Sequence, residues 1–310
     1  MSESMYTLSS SPHIRSKDSV QSIMRDVVIA LLPATVAGIY FFKLQALLVI
    51  LTAVISCVAA EYIWEKATGR DISIGDLSAV VTGMLLAFNV PPTLPLWMVV
   101  IGSFFSIIVV KQFFGGIGQN IVNPALAGRA FLLASWPVAM TTWTVDGVTT
   151  ATPLAILKGA PGELPTLASA FLGHIGGCIG ETSALALLIG FAYLLYRRII
   201  TWHVPVTYVG TVFVLTAIIG RHGAMSGNAI YEIFVGGLML GAIFMATDYT
   251  TSPMTKKGQV IFAIGCGVIT TVIRIFGGYP EGVSYSILLM NLFVPLIDKF
   301  VAPRVFGEVK

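Results

Sequence analysis

The sequence predicts an all-α integral membrane protein of about ten transmembrane helices, arranged as two inverted five-helix repeats. Three observations carry that expectation. Only 18 Lys and Arg and 15 Asp and Glu occur in 310 residues, so 11% of the chain is charged, less than half the roughly 25% of soluble domains. Hydrophobic residues make up 56%, and the mean hydropathy is +0.87. Apolar runs long enough for helices recur along the chain, separated by short polar turns, with no ten-residue alternation of the barrel type. A surface so poor in charge excludes a cytosolic enzyme, and a net charge of +3 supplies no basic field for nucleic acid.

Crossing roughly 30 Å of hydrocarbon takes about 20 apolar residues, fewer where flanking side chains snorkel. The predicted spans are 27–42, 44–63, 77–92, 96–111, 121–137, 178–196, 204–220, 229–247, 259–276 and 285–301. The polar segment 1–25 precedes them and is expected to stay as a cytoplasmic arm rather than be cleaved as a signal peptide. The organisation is thus an arm (1–25), a first membrane repeat (26–137), an outer loop (138–177), a second repeat (178–302) and a cytoplasmic tail (303–310). Orientation follows the basic residues. With the N-terminus inside, Arg15, Lys17, Arg25, Lys66, Arg70, Lys111, Arg197, Arg198, Lys256, Lys257, Lys299, Arg304 and Lys310 fall on the cytoplasmic side. Lys43, Lys158, Arg221 and Arg274 fall outside, and Arg129 falls within a span. Both termini are therefore expected in the cytoplasm.

The two halves share a pattern. Phe113-Phe114-Gly115-Gly116 followed by Phe131 aligns with Ile275-Phe276-Gly277-Gly278 followed by Phe293 at one constant offset. Five spans per repeat invert the second copy relative to the first.

Cys57, Cys178 and Cys266 are far apart in apolar runs and read as buried thiols. His13, His174, His203 and His222 form no ligand pair, so no metal or haem site is predicted within the chain. Asp76, Asp248 and Glu281 sit at span ends as solvated caps. Glu61 and Glu181 lie near the membrane boundary, and either suits an ion path; the sequence does not choose. Arg129 is the costliest residue, read either as a contact to a redox group or as a structural anchor. Asn120, Asn123 and Asn291 beside glycines suit a ligand or helix packing equally.

The outer loop carries Thr141, Thr142, Thr144, Thr149, Thr150 and Thr152 around an Asp146-Gly147 turn. By composition it is an extended loop. Asp146-Gly147-Val148-Thr149-Thr150-Ala151-Thr152-Pro153-Leu154 nevertheless resembles the flavinylation motif of a membrane redox family, the NqrB/RnfD family. It comprises the RnfD component of the Rnf complex and the NqrB component of the sodium-pumping NADH:quinone oxidoreductase. Gly115 to Ala125, Ala246 to Pro253, Tyr279 to Val283 and Leu288 to Asn291 resemble further signatures of the family in the right order, so the resemblance covers nearly the whole chain. Length and the compact outer loop favour the Rnf branch. Thr150 stands where the family pattern has glycine, while Thr152 keeps the acceptor hydroxyl.

The resemblance implies FMN joined by a phosphodiester to Thr152, with Asp146, Thr149, Thr150, Asn120, Asn123 and Arg129 as further cofactor-binding candidates. It also implies a non-covalent riboflavin. No side chain of the chain itself is assigned a catalytic role, since a separate flavin transferase makes the bond and the flavin does the electron chemistry. Pro153 biases Thr152 towards extended backbone, which is expected to turn its hydroxyl outward. Asp146 suits an Asx turn. The implied function is that of an electron relay within a multi-subunit complex of the bacterial cytoplasmic (inner) membrane. Such a complex passes electrons between ferredoxin and NAD and moves sodium or protons, with a second flavin-bearing protein docked at the outer loop. The alternatives are a quinone-reductase component of the same family, or a secondary transporter or channel with inverted repeats and no redox role.

Overall fold

The computed structural model describes residues 18–145, 148–173, 175–219, 229–279 and 281–302. Asp146 with Gly147, His174, the segment 220–228, Pro280 and both chain ends lie outside the described residues. The regular secondary structure of the described residues is helical apart from a two-residue antiparallel ladder in the threonine-rich loop.

The first helix, α1 (Val20–Thr68), starts at a capping box formed by Ser19 and Ser22 and ends at left-handed Gly69. Residues 20–25 of the expected arm are therefore already helical, because Ser19 satisfies the first free amides. The helix is broken at Lys43, whose φ of 54° is costly for a side-chain-bearing residue, so the first two predicted spans meet there. Next come α2 (Ser78–Phe88) and α3 (Leu96–Phe104), which runs on as a π-helical stretch to Gln112. The half closes with α4 (Pro124–Ser135). The loop that follows begins with four short pieces: α5 (Pro137–Met140), β1 (Thr144–Val145), β2 (Val148–Thr149) and α6 (Pro153–Leu157). After α7 (Leu167–Leu172) the second half runs through α8 (Ala184–Tyr196) and α9 (His203–Ile219). It continues with α10 (Ala229–Phe234), α11 (Leu238–Leu240) with its π-helical extension to Met245, α12 (Lys256–Phe276) and α13 (Val283–Phe300).

Among these, α1, α12 and α13 are individually long and apolar enough to cross a membrane; α2, α8, α9 and the Leu96–Gln112 stretch are shorter and apolar. Three predicted spans are discontinuous. The 77–92 span is helical only to Phe88, the 178–196 span begins its helix at Ala184, and the 229–247 span is interrupted between Phe234 and Leu238. Pro91, Pro92 and Pro95 explain the first break, and Gly236-Gly237 the third.

Irregular backbone at membrane depth must satisfy its polar groups inside the protein. Here the extended segments serve each other: Ile179 N–H donates to the Val90 carbonyl at 3.3 Å and Gly180 N–H to that of Phe88 at 3.0 Å. A Cβ on Gly180 would overlap the Phe88 side chain, so only glycine allows this crossing. Asn89, after the end of α2, donates to the Met245 sulfur at 3.6 Å, so the tips of the two broken helices meet.

The helices approach closely through small residues. A Cβ on Gly83 would lie 2.7 Å from the Val54 Cα of α1, and backbone cannot yield as a side-chain tip does. Gly83→Leu is therefore expected to separate α1 from α2, at a cost of at least about 1–3 kcal/mol for overpacking. Membrane-extracted protein would melt earlier and accumulate less. An unchanged melting curve would contradict this packing.

Candidate functional site

Arg129 organises the half of the molecule that carries the threonine loop. It lies on α4, whose start is fixed by Asn123: the side-chain oxygen caps Ala125 N–H at 3.0 Å and Leu126 N–H at 3.2 Å, with Pro124 at the first helical position. The Arg129 guanidinium donates to Asn89 Oδ1 at 3.1 Å, Glu181 Oε1 at 3.2 Å and Ser284 Oγ at 3.0 Å, and it forms a second ion pair with Glu281. Segments distant in sequence thus converge on one buried cation.

This corrects the expectation for Glu281. It is an ion-pair partner of Arg129 rather than a solvated cap, because a buried guanidinium needs carboxylate compensation. The same logic applies at the end of the π-helical stretch after α3, where Lys111 is 3% exposed. It donates to Glu61 Oε1 and Ser78 Oγ, both at 2.6 Å. Arg274, expected at the outer surface, is fully buried and donates to the Glu232 and Val235 carbonyls.

Beside Arg129 opens a cavity of about 320 Å³, inside the roughly 300–1,000 Å³ range of small-molecule sites. Its walls come from Arg129 and Leu133 of α4, Met140 to Trp143, Thr150 to Thr152, and Glu281, Ser284 and Tyr285 at the start of α13. Arg129, Glu281 and Ser284 gather its polar groups, while Leu133, Met140 and the Trp143 and Tyr285 rings supply apolar and aromatic surface.

Thr152 stands in this wall. Its backbone is extended, with φ −65° and ψ 151°, as Pro153 requires. The expected outward display of its hydroxyl does not occur. The residue is 3% exposed, and Oγ1 accepts Ala155 N–H at 3.2 Å as the N-cap of α6. A threonine before proline at a helix start is a good cap, and that local chemistry turns it inward. Thr149 pairs with Thr144 through backbone in the small ladder, and Thr150 is an exposed part of the cavity lining.

The sequence candidates therefore divide. Arg129, Thr150 and Thr152 meet around this cavity. Asn120 and Asn123 instead line a separate, smaller cavity of about 110 Å³, with Ser78, Lys111 and Asp248. Asn123 also donates to the Met245 carbonyl at 3.5 Å. Asn291, with its amide oriented by this network, accepts Asn123 N–H at 3.1 Å and donates to the Thr251 and Ile287 carbonyls. Asn89, Ser284, Trp143 and Tyr285 carry no sequence signal for a role at the site. For the acids one signal exists: a cation inside a span demands carboxylates at the same depth, and Glu181 and Glu281 are the acids at hand.

These features define a multi-pass membrane protein that encloses a ligand-sized cavity beside a buried arginine–carboxylate cluster. The chain belongs to the NQR2, RnfD, RnfE family, whose model matches residues 7–307. It is similar to the D subunit of the Na(+)-translocating ferredoxin:NAD(+) oxidoreductase complex of Acetobacterium woodii, 54% identical over 100% of this chain and 98% of that one. It also resembles the D subunit of the proton-translocating ferredoxin:NAD(+) oxidoreductase complex of Clostridium ljungdahlii, 50% identical over 98% and 97% of the two chains. The D subunit of the ion-translocating oxidoreductase complex of Halorhodospira halophila is 37% identical over 99% and 97%.

Proposed function

We propose that this chain is the flavin-carrying membrane component of a complex that couples electron transfer between ferredoxin and NAD to the movement of sodium or protons. The observation that carries the reading is the position of Thr152 in the wall of a cavity beside Arg129. The residues present suit FMN. A phosphodiester on Thr152 Oγ1 would place the ring inside a partly aromatic cavity that also offers guanidinium and hydroxyl donors. When bound, the flavin supplies the electron chemistry. The chain holds it in place, excludes water and sets the local charge through Arg129. The names of the relatives support the electron-transfer and ion-translocation parts of the reading.

The same reading puts the chain in the bacterial cytoplasmic membrane with the Thr152 loop outside and both termini inside. It also includes further subunits, one bearing its own flavin, and a flavin transferase acting during maturation. The three native cysteines are all buried, so introduced thiols give a clean topology test. Glu163→Cys is expected to react with an impermeant maleimide in intact cells, and Lys256→Cys only after the membrane is opened. The reverse pattern would overturn the orientation.

A non-covalent riboflavin belongs to this reading too. The separate, smaller cavity offers amide and carboxylate partners, but at about 110 Å³ it falls short of the small-molecule range. Free riboflavin in acid extracts of a Thr152→Ala complex would support it, and its absence would remove it.

A further inference from the structure

Beside Thr152 lies a second cavity of about 10 Å³, lined by Thr152, Gly176, Gly177, Glu181, Gly236 and Glu281, among others. That is near the threshold for one water-sized occupant, such as a single ion stripped of its hydration shell. Glu181 borders it and is 3% exposed. Its Oε1 is engaged by Arg129, whereas Oε2 is buried with no hydrogen-bond partner among the described residues. The Cys178 sulfur and one oxygen each of Glu181 and Glu281 lie within 4.8 Å of one another.

Charge counting points the same way. Arg129 faces two carboxylates, Glu181 and Glu281, so with both ionised the cluster carries one excess negative charge, which either a proton or a cation can balance. Cys178 as a thiol adds none. Beyond Gly236 and Gly237, Arg274 and Glu232 face the same region as an oppositely charged couple. An unbalanced buried charge is expensive, and one monovalent cation restores neutrality where a divalent ion would overshoot. Carboxylate oxygens suit a hard cation; a thiol does not.

We infer that the Glu181–Glu281 pair, with the small cavity beside Thr152, is a site for one dehydrated sodium ion. Where the cavity beside Arg129 holds the flavin, as the proposed function has it, ion occupancy and the charge on the neighbouring group are reciprocally linked.

The test uses the assembled complex in detergent, with sodium chloride compared against potassium and choline chloride at equal ionic strength. Dicyclohexylcarbodiimide modification of Glu181, read by peptide mass spectrometry, is expected to fall at least tenfold in sodium and not in the other salts. The sodium protection should persist in complex made without the flavin transferase, so failure of the flavin reading does not touch this arm. Sodium should also raise the thermal midpoint of the complex, and Glu181→Gln should abolish that rise. Where the flavin is present, its midpoint potential should shift by up to about 59 mV per tenfold change in sodium for a one-electron step, and not in Glu181→Gln. Protection by lowered proton activity alone, equal protection by all three salts, or a sodium-dependent melt in Glu181→Gln would each overturn the site.

Discussion

Replacing Thr152 with alanine is expected to abolish covalently held flavin, read as fluorescence that survives denaturing electrophoresis of the complex made alongside the flavin transferase. The loss should be complete, because the ester needs an oxygen at this position and an alanine methyl offers none. Thr149→Ala and Thr150→Ala should keep the fluorescence. Thr152 also caps α6, so alanine removes a stabilising contact worth about 1 kcal/mol, and the loss of flavin must be separated from a loosened loop. Two further variants do this. Thr152→Asn preserves the cap but cannot form the phosphodiester, and should give a stable, flavin-free chain. Thr152→Ser preserves both and should remain fluorescent. A fluorescent Thr152→Asn would move the attachment elsewhere.

The second large effect concerns Arg129. Arg129→Met leaves Glu181 and Glu281 facing each other across a buried space without the guanidinium between them. Breaking a buried pair in this way typically costs about 3–5 kcal/mol, and here two pairs share the arginine. The variant should accumulate poorly and dissociate from the complex on mild heating. Neutralising the acids as well, in Arg129→Met with Glu181→Gln and Glu281→Gln, should recover a large part of the lost stability, since the cost lies in unpaired charge and not in a missing contact. If that triple variant is as unstable as Arg129→Met alone, the cluster is not held by charge balance. Arg129→Lys tests geometry separately. A single ammonium cannot reproduce the fork that reaches Asn89, Glu181, Ser284 and Glu281, so it should be intermediate in stability.

Much of this arrangement is legible in the residues. Apolar runs and the side bias of Lys and Arg lead to a membrane fold, and the glycine and proline interruptions mark where helices break. The exact breaks escape a hydropathy reading, because it averages over a window and takes no account of Pro91, Pro92 and Pro95. Arg129 stands out on cost alone. Asn89 and Ser284 do not, because they lie far from it in sequence and their meeting depends on tertiary packing, while Glu181 and Glu281 are signalled only by the need of a buried cation for acids at its depth.

Thr152 is the instructive case. Pro153 correctly foretells its extended backbone, yet side-chain direction follows from capping. The free Ala155 N–H captures the hydroxyl and turns it inward, so Thr152 is part of a buried wall and not a surface display. Lys111 and Arg274 carry the same lesson at the two ends of the membrane. Sequence position places both at polar boundaries, and both are buried because a nearby acceptor set outweighs hydration: Glu61 with Ser78 for one, and the carbonyls of Glu232 and Val235 for the other.

The most direct measurement is the mass of the peptide running from Ala130 to Lys158, released by trypsin from the purified native complex and fragmented to locate any added group. The cavity beside Arg129 and its inward-facing threonine predict an increment of one FMN less one water, carried on Thr152 and on no other threonine of that peptide. An unmodified peptide, or the increment on Thr149 or Thr150, would contradict the assignment of the flavin to the cavity beside Arg129.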